Sequence, residues 1–131
     1  MRYLLDTHIL VWWFERNSRL TTAQMTVLNK ARAGPPLLVS DVTLWEIATL
    51  SSLGRLQFEI PLQEWLERAT AAPLVERCRI TPAIAAQVAA LPETFHRDPA
   101  DRLLVSTAIV TEAILLTADV KIIQSGLVTT L

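Results

Sequence analysis

The chain has 131 residues, 51% of them apolar and 19% charged, which is enough to bury one core and excludes a disordered polar chain. A net charge of −1 argues against the basic surface of a general nucleic-acid binder, and the lone Cys78 excludes an internal disulfide and reads as a small buried residue in a reducing compartment. Asp6 and His8 break up the apolar N-terminus, whose longest run, Ile9 to Phe14, falls far short of the ~20 residues of a membrane span, so the expectation is a cytoplasmic protein with no membrane attachment.

In chain order, Arg2–Leu5 is a short apolar run that ends at an acid and reads as a strand. THILVWWFE has helical length, and TTAQMTVLNKARAG is an amphipathic helix with Thr22 as its cap and Gly34 just past its end. PPLLVS is a second strand fenced by Pro35 and Pro36. DVTLWEIATLSSLG is a helix stopped at Gly54, and PLQEWLERAT another with Pro61 in its first turn. LVERCRI alternates as a strand does; TPAIAAQVAAL is a helix with Thr81 as cap and Pro82 at its first position. DPADRLLVSTAIVTEA is a further helix, and ILLT a last buried strand before ADVKIIQSG. Short apolar strands alternating with helices imply an α/β fold with a parallel sheet covered on both faces, in a single domain over residues 1–131.

Five acids fall at telling places. Asp6 ends the first strand, Asp119 lies just beyond the last, Glu46 sits early in the helix after the second strand, and Asp98 and Asp101 open the helix before the last strand. Ligands of an open parallel sheet bind outside the carboxyl ends of its strands, and these positions lie at or near that edge. Each acid also has a purely structural role open to it. Asp6 and Asp98 can cap helices, with Pro99 at the first and Asp101 at the third helical position; Glu46 can be a solvated helix residue and Asp119 a turn residue. As a group they would repel one another, which a cation relieves, and oxygen-only donors select hard ions such as Mg²⁺ or Mn²⁺. One Cys and two His do not make a structural zinc site. With four of the thirteen acids neutralised by metal, nine would face twelve Lys and Arg, so composition leaves RNA open as a partner. Arg97, Arg102 and Lys121 flank the acids and are candidates for phosphate contacts, or else solvated surface residues.

Four segments in order, LLDTHILVW, VSDVTLWEIA, HRDPADRLLVSTA and LLTAD, resemble the PIN domain, and within it the VapC-like ribonuclease toxins of toxin–antitoxin pairs. The resemblance covers residues 1 to about 124. It implies a three-layer α/β/α fold with a short parallel sheet of four or five strands, and Mg²⁺- or Mn²⁺-dependent cleavage of RNA leaving a 5′-phosphate and a 3′-hydroxyl. It maps the metal-holding acids onto Asp6, Glu46, Asp101 and Asp119, with Asp98 as helix cap and supporting neighbour. Thr7, Ser40 and Thr117 match hydroxyl positions that orient carboxylates or a water, with capping the alternative for Ser40. Ala100 departs from the pattern, which often has an aromatic there.

Trp12, Trp13 and Phe14 point roughly 100° apart on a helix and cannot all face one core. By resemblance, the part left exposed is a groove for a cognate antitoxin, whose Arg would reach the acids, and another apolar surface forms a homodimer. Three other readings are open: metal-free ribonuclease chemistry with His8 and His96 as acid and base, a phosphoacceptor receiver domain using Lys121, and a catalytically silent PIN module used only for binding. The first strand ends in one Asp and not an acidic pair, which counts against the receiver.

Overall fold

Alternate residues of four short strands point to opposite faces of a sheet, and that alternation splits the core in two. The computed structural model describes all 131 residues. Strands β1 (Tyr3–Leu5), β2 (Leu37–Ser40), β3 (Val75–Cys78) and β4 (Ile114–Leu116) form a parallel sheet in the order β3-β2-β1-β4. The helices are α1 (Thr7–Phe14), α2 (Thr22–Asn29), α3 (Asp41–Ser52), α4 (Leu62–Ala69), α5 (Pro82–Ala90), α6 (Pro99–Thr111) and α7 (Val120–Ser125). Leu5, Val39 and Leu116 pack with Ile9, Leu28, Ile47 and Trp65 on one face. Leu4, Leu38 and Leu115 pack with Leu104, Val105, Ala108 and Ile122 on the other. The result is the expected three-layer α/β/α arrangement. No helix is long and apolar enough to cross a membrane.

Strand order positions the site. The chain grows from β1 through β2 to β3 on one side of β1, then returns to lay β4 on the other. The crevice at the carboxyl ends of β1 and β4 is therefore the switch point at which open α/β sheets bind ligands.

Two expectations need correction. The cap of α2 is Thr21, not Thr22: its hydroxyl accepts from Gln24 N (3.1 Å) while Gln24 Oε1 accepts from Thr21 N (3.0 Å). This reciprocal box needs a polar side chain three residues on; Gln24 supplies it for Thr21, whereas Thr22 would face Met25. Pro61 precedes α4 as its cap residue and lies outside the first turn. The sheet has four strands, within the expected four or five, and beyond the free side of β4 a single parallel bridge joins Leu115 to Thr130. Gln24, buried in α2, helps pin that segment by donating Nε2 to Leu131 O at 3.0 Å.

Helix α6 offers a direct test of this layering. Leu104 is fully buried and Val110 is 38% exposed. Leu104→Ala is expected to cost about 2–5 kcal/mol in urea unfolding, and Val110→Ala to change stability by no more than about 0.5 kcal/mol. Equal effects would mean that α6 faces the sheet differently.

Candidate active site

At the end of β1 the chain turns into α1, and Asp6 caps the new helix with 5% of its surface exposed. Its Oδ1 accepts from Thr7 N (2.7 Å) and its Oδ2 from the Thr117 hydroxyl (2.6 Å). Thr117 follows β4 and also accepts from Asp119 N (3.0 Å), so one hydroxyl bridges two acids. Asp119 in turn caps α7, its Oδ1 accepting from Lys121 N (2.9 Å) and Ile122 N (3.2 Å). The structural role open to Asp119 is therefore that of a helix cap and not of a simple turn residue.

Glu46 lies in the second turn of α3, half-buried, and accepts a short hydrogen bond from the Thr7 hydroxyl. Thr43 Oγ1, fully buried, stands 3.3 Å from Thr7 Oγ1. Asp98 caps α6 with Pro99 at the first helical position, its Oδ1 accepting from Asp101 N at 3.0 Å. Asp101 projects from that first turn, and its Oδ2 is 3.1 Å from His96 Nε2, an ion pair when the imidazole is protonated.

Electrostatics show that these groups share one field. Burial pushes the Asp6 carboxyl up, against the hydrogen bonds from Thr117 and Thr7 that favour its charge. Burial also raises Glu46, opposed by the Thr7 hydroxyl and reinforced by Asp6 and Asp98. Asp101 is raised to about 7, first by desolvation and then by repulsion from Asp98, Asp119, Asp6 and Glu46. Five carboxylates from four segments therefore sense one another at the β1/β4 crevice. Beside them opens a concavity of about 460 Å³ lined by His96, Asp98, Asp101, Asp119, Val120 and Lys121. Hard oxygen donors under mutual repulsion fit a divalent cation of the Mg²⁺ class. No three of them meet at a ready-made coordination point. The fit is one of charge and donor chemistry.

The remaining expected residues divide. Lys121 is exposed at the rim of the acidic concavity. Arg97 is exposed and lines a groove with Ala85, Val88 and Pro99 that none of the acids lines. Arg102 must be corrected: it is 9% exposed, and its Nη1 donates to Phe95 O (3.0 Å) and His96 O (3.2 Å), so it holds a loop and cannot meet a phosphate. Ser40 caps α3 by accepting from Val42 N (3.1 Å) and makes no hydrogen bond to an acid. Trp13 and Phe14 line an apolar groove of about 720 Å³ with Leu20, Met25 and Leu74. Trp12 lies outside that groove, 6.0 Å from His8 ring to ring and beneath Arg19. Sequence reasoning missed Thr43 and the His96–Asp101 pairing. Thr43 stands three residues before Glu46 on the same face of α3, a spacing that could have found it.

The fold and its acidic crevice define a parallel three-layer domain with a carboxylate-rich site suited to a hard cation. The PIN domain family matches residues 3–125, and the chain is 39% identical to Ribonuclease VapC22 of Mycobacterium tuberculosis over 106 residues, 81% of this chain and 78% of that one. The chain belongs to the PIN domain family. Its fold is similar to VapBC2 from Rickettsia felis bound to a promoter DNA fragment (TM-score 0.73, 18% identity, covering 100% of this chain and 98% of that chain). It is also similar to VapBC-1 from nontypeable Haemophilus influenzae (TM-score 0.69, 19% identity, covering 100% and 97%). A toxin–antitoxin complex from Klebsiella pneumoniae matches at TM-score 0.67 and 18% identity, covering 98% and 95%.

The Asp101 environment predicts a pH-dependent cost. Its carboxyl titrates near 7 when folded against an ordinary 3.8, so the folded state holds the extra proton between these values and stability falls as pH rises through that window. In metal-free buffer, Asp101→Asn is expected to stabilise the protein at pH 8 by on the order of 1–2 kcal/mol after solvent screening, with the gain fading toward pH 4. Denaturation curves across this range check it; an Asn variant no more stable than wild type at pH 8 would remove Asp101 from the repulsive field.

Proposed function

We propose that residues 1–131 act as one nuclease unit, a VapC-type toxin that cuts RNA internally with a divalent cation in the cytoplasm and is restrained by a cognate antitoxin. The observation that carries this reading is the convergence of Asp6, Glu46, Asp98, Asp101 and Asp119 at the switch point of a PIN-family sheet. The 39% identity to a named ribonuclease supports the choice of substrate.

Asp6, Glu46, Asp101 and Asp119 would hold Mg²⁺ or Mn²⁺. A divalent ion bound there supplies positive charge against the phosphodiester and a water of lowered pKa. Hydrogen bonds from Thr117 and Thr7 favour the charged carboxylates and orient them, and Asp98 fixes the start of the helix that presents Asp101. Lys121 offers its ammonium to a phosphate at the rim. Because Lys121 and His96 are the only basic side chains lining the acidic concavity, a phosphodiester approaching without a metal would be repelled. A receiver-type phosphoacceptor is disfavoured because the first strand ends in the single acid Asp6 and not in an acidic pair.

Asp6→Asn and Glu46→Gln are each expected to lower RNA cleavage more than ~100-fold with Mg²⁺ or Mn²⁺, exceeding the loss typical of groups that only support metal ligands. EDTA should abolish wild-type cleavage, and the product ends should accept ligation as 5′-phosphates. Cleavage that persists in EDTA and leaves cyclic phosphates would transfer the chemistry to His8 and His96.

The antitoxin is proposed to occupy the groove lined by Trp13 and Phe14. Arg16, Arg32 and Arg68 also line it, so the fitting partner is an apolar segment flanked by acids. Exposed Trp45 and Leu53, at 58% and 61%, supply apolar surface for a proposed homodimer. Trp13→Glu is expected to weaken antitoxin binding at least about 30-fold in titration calorimetry. Unchanged affinity in a folded variant would remove the groove from the interface.

A further inference from the structure

A second concavity, of about 380 Å³, opens beside the acidic one, and His96 and Lys121 line both. Its remaining polar groups come from two segments: Thr94 in the loop between α5 and α6, and Gln124 and Ser125 in α7. Both walls are fixed from within. On one side Arg102 grips the Phe95 and His96 carbonyls, and buried Phe95 sets its ring against that of His96 at 4.7 Å. On the other, Asp119 caps α7 and so ties its orientation to the acid cluster.

The chemistry of the lining is selective. Ser125 is already used, donating to Ile122 O (2.6 Å) and accepting from Leu127 N (3.3 Å). Thr94 and Gln124 are exposed and make no side-chain hydrogen bond within the chain, which leaves a hydroxyl and an amide free as donors and acceptors. Pro92 and Leu127 add apolar surface. No carboxylate lines this concavity, so a cationic side chain from a protein partner finds no counter-charge in it. A neutral planar base with mixed donors and acceptors matches the lining, and Lys121 stands at the junction where the adjoining phosphate would lie.

The geometry points to a nucleotide subsite: the second concavity takes the base next to the scissile phosphate of a single-stranded RNA, with Thr94 and Gln124 reading its edge and Lys121 meeting the phosphate between the two concavities. The base must be unstacked to enter, which selects loops and single strands over duplex. This inference rests on the ribonuclease reading and makes Thr94 and Gln124 specificity-determining residues of that reaction.

The test is cleavage of a pool of single-stranded RNAs with randomised sequence by the full chain with Mn²⁺, followed by sequencing of the new 5′ ends. Wild type should show a base preference at one position beside the break. Gln124→Ala and Thr94→Ala, both surface changes, should each reduce that preference roughly 5-fold or more. Lys121→Ala should instead lower cleavage of all sequences alike and reduce the log–log salt slope by about one. If both Ala variants keep the wild-type preference, or lose rate uniformly across sequences, the subsite is overturned while the ribonuclease reading stands. Variants that keep the preference but bind antitoxin more weakly would assign the concavity to the protein partner, which also overturns it. Failure of wild type to cut any RNA overturns both.

Discussion

The hydrogen bond from the Thr117 hydroxyl to Asp6 Oδ2 joins residues 111 apart in sequence, and the crevice depends on it. A carboxylate with only 5% of its residue exposed has lost most of its water, and leaving it without donors would cost several kcal/mol or drive it to its neutral form. Two donors oppose that in part, the Thr7 amide from the helix that starts here and the Thr117 hydroxyl just after the strand laid alongside, although burial still leaves the carboxyl raised. The Thr117 hydroxyl also receives the Asp119 amide, so the ends of β1 and β4 and the start of α7 share a single oxygen. The backbone reinforces the same join, with Asp6 N donating to Leu116 O.

Capping and cation binding look like competing explanations for an acid at a helix start, yet one carboxylate can serve both. Asp6, Asp98 and Asp119 each cap a helix, and each lies in the field that raises Asp101. A carboxylate has two oxygens and about four lone-pair sites, so accepting one or two amide protons leaves capacity for an ion. Asp119 shows the division clearly, with Oδ1 taking both cap hydrogen bonds. Capping also orients: a carboxylate tied to amides at a helix start cannot rotate away from its neighbours. The helix starts gathered at one edge of the sheet thus bring together acids that would otherwise separate.

The order of strands and helices was legible because each element carries its own period or punctuation, and the acids were legible because they fall at strand ends and helix starts. What the sequence left hidden depends on partners far along the chain. Arg102 sits within an acidic, phosphate-suited context, but its partners are backbone carbonyls at Phe95 and His96, which no side-chain pattern announces. Ser40 and Thr117 look alike as hydroxyls beside strand ends; only the packing of β4 against β1 gives one an acid to bond and leaves the other an amide. The angular argument that Trp12 and Trp13 could not face one core does not hold, since both pack partly buried against the cluster of Ile9 and Trp65, and where α2 and the segment before β3 pack decides that Trp13 and Phe14, not Trp12, line the groove. The Thr21 cap, by contrast, was readable, since Gln24 is the only residue that closes the box.

Arg102 also explains why the acids stay uncompensated. A buried guanidinium one residue from Asp101 would be the obvious counter-charge, and an Arg–carboxylate pair there would hold the acid ionised and satisfy the local field. The helix turn sends it the other way. Residues 101 and 102 point about 100° apart on α6, and Arg102 spends its charge on carbonyls and on the face of Phe95, with Cζ 5.9 Å from the ring centroid. Asp101 keeps His96 as its close partner and remains raised to about 7. The internal cation is thus placed to stiffen the loop that carries His96 and Asp98, while the demand for positive charge inside the crevice is left to whatever enters from solvent. An acid cluster serving only the fold would gain stability by turning Arg102 inward, and the structure does the opposite.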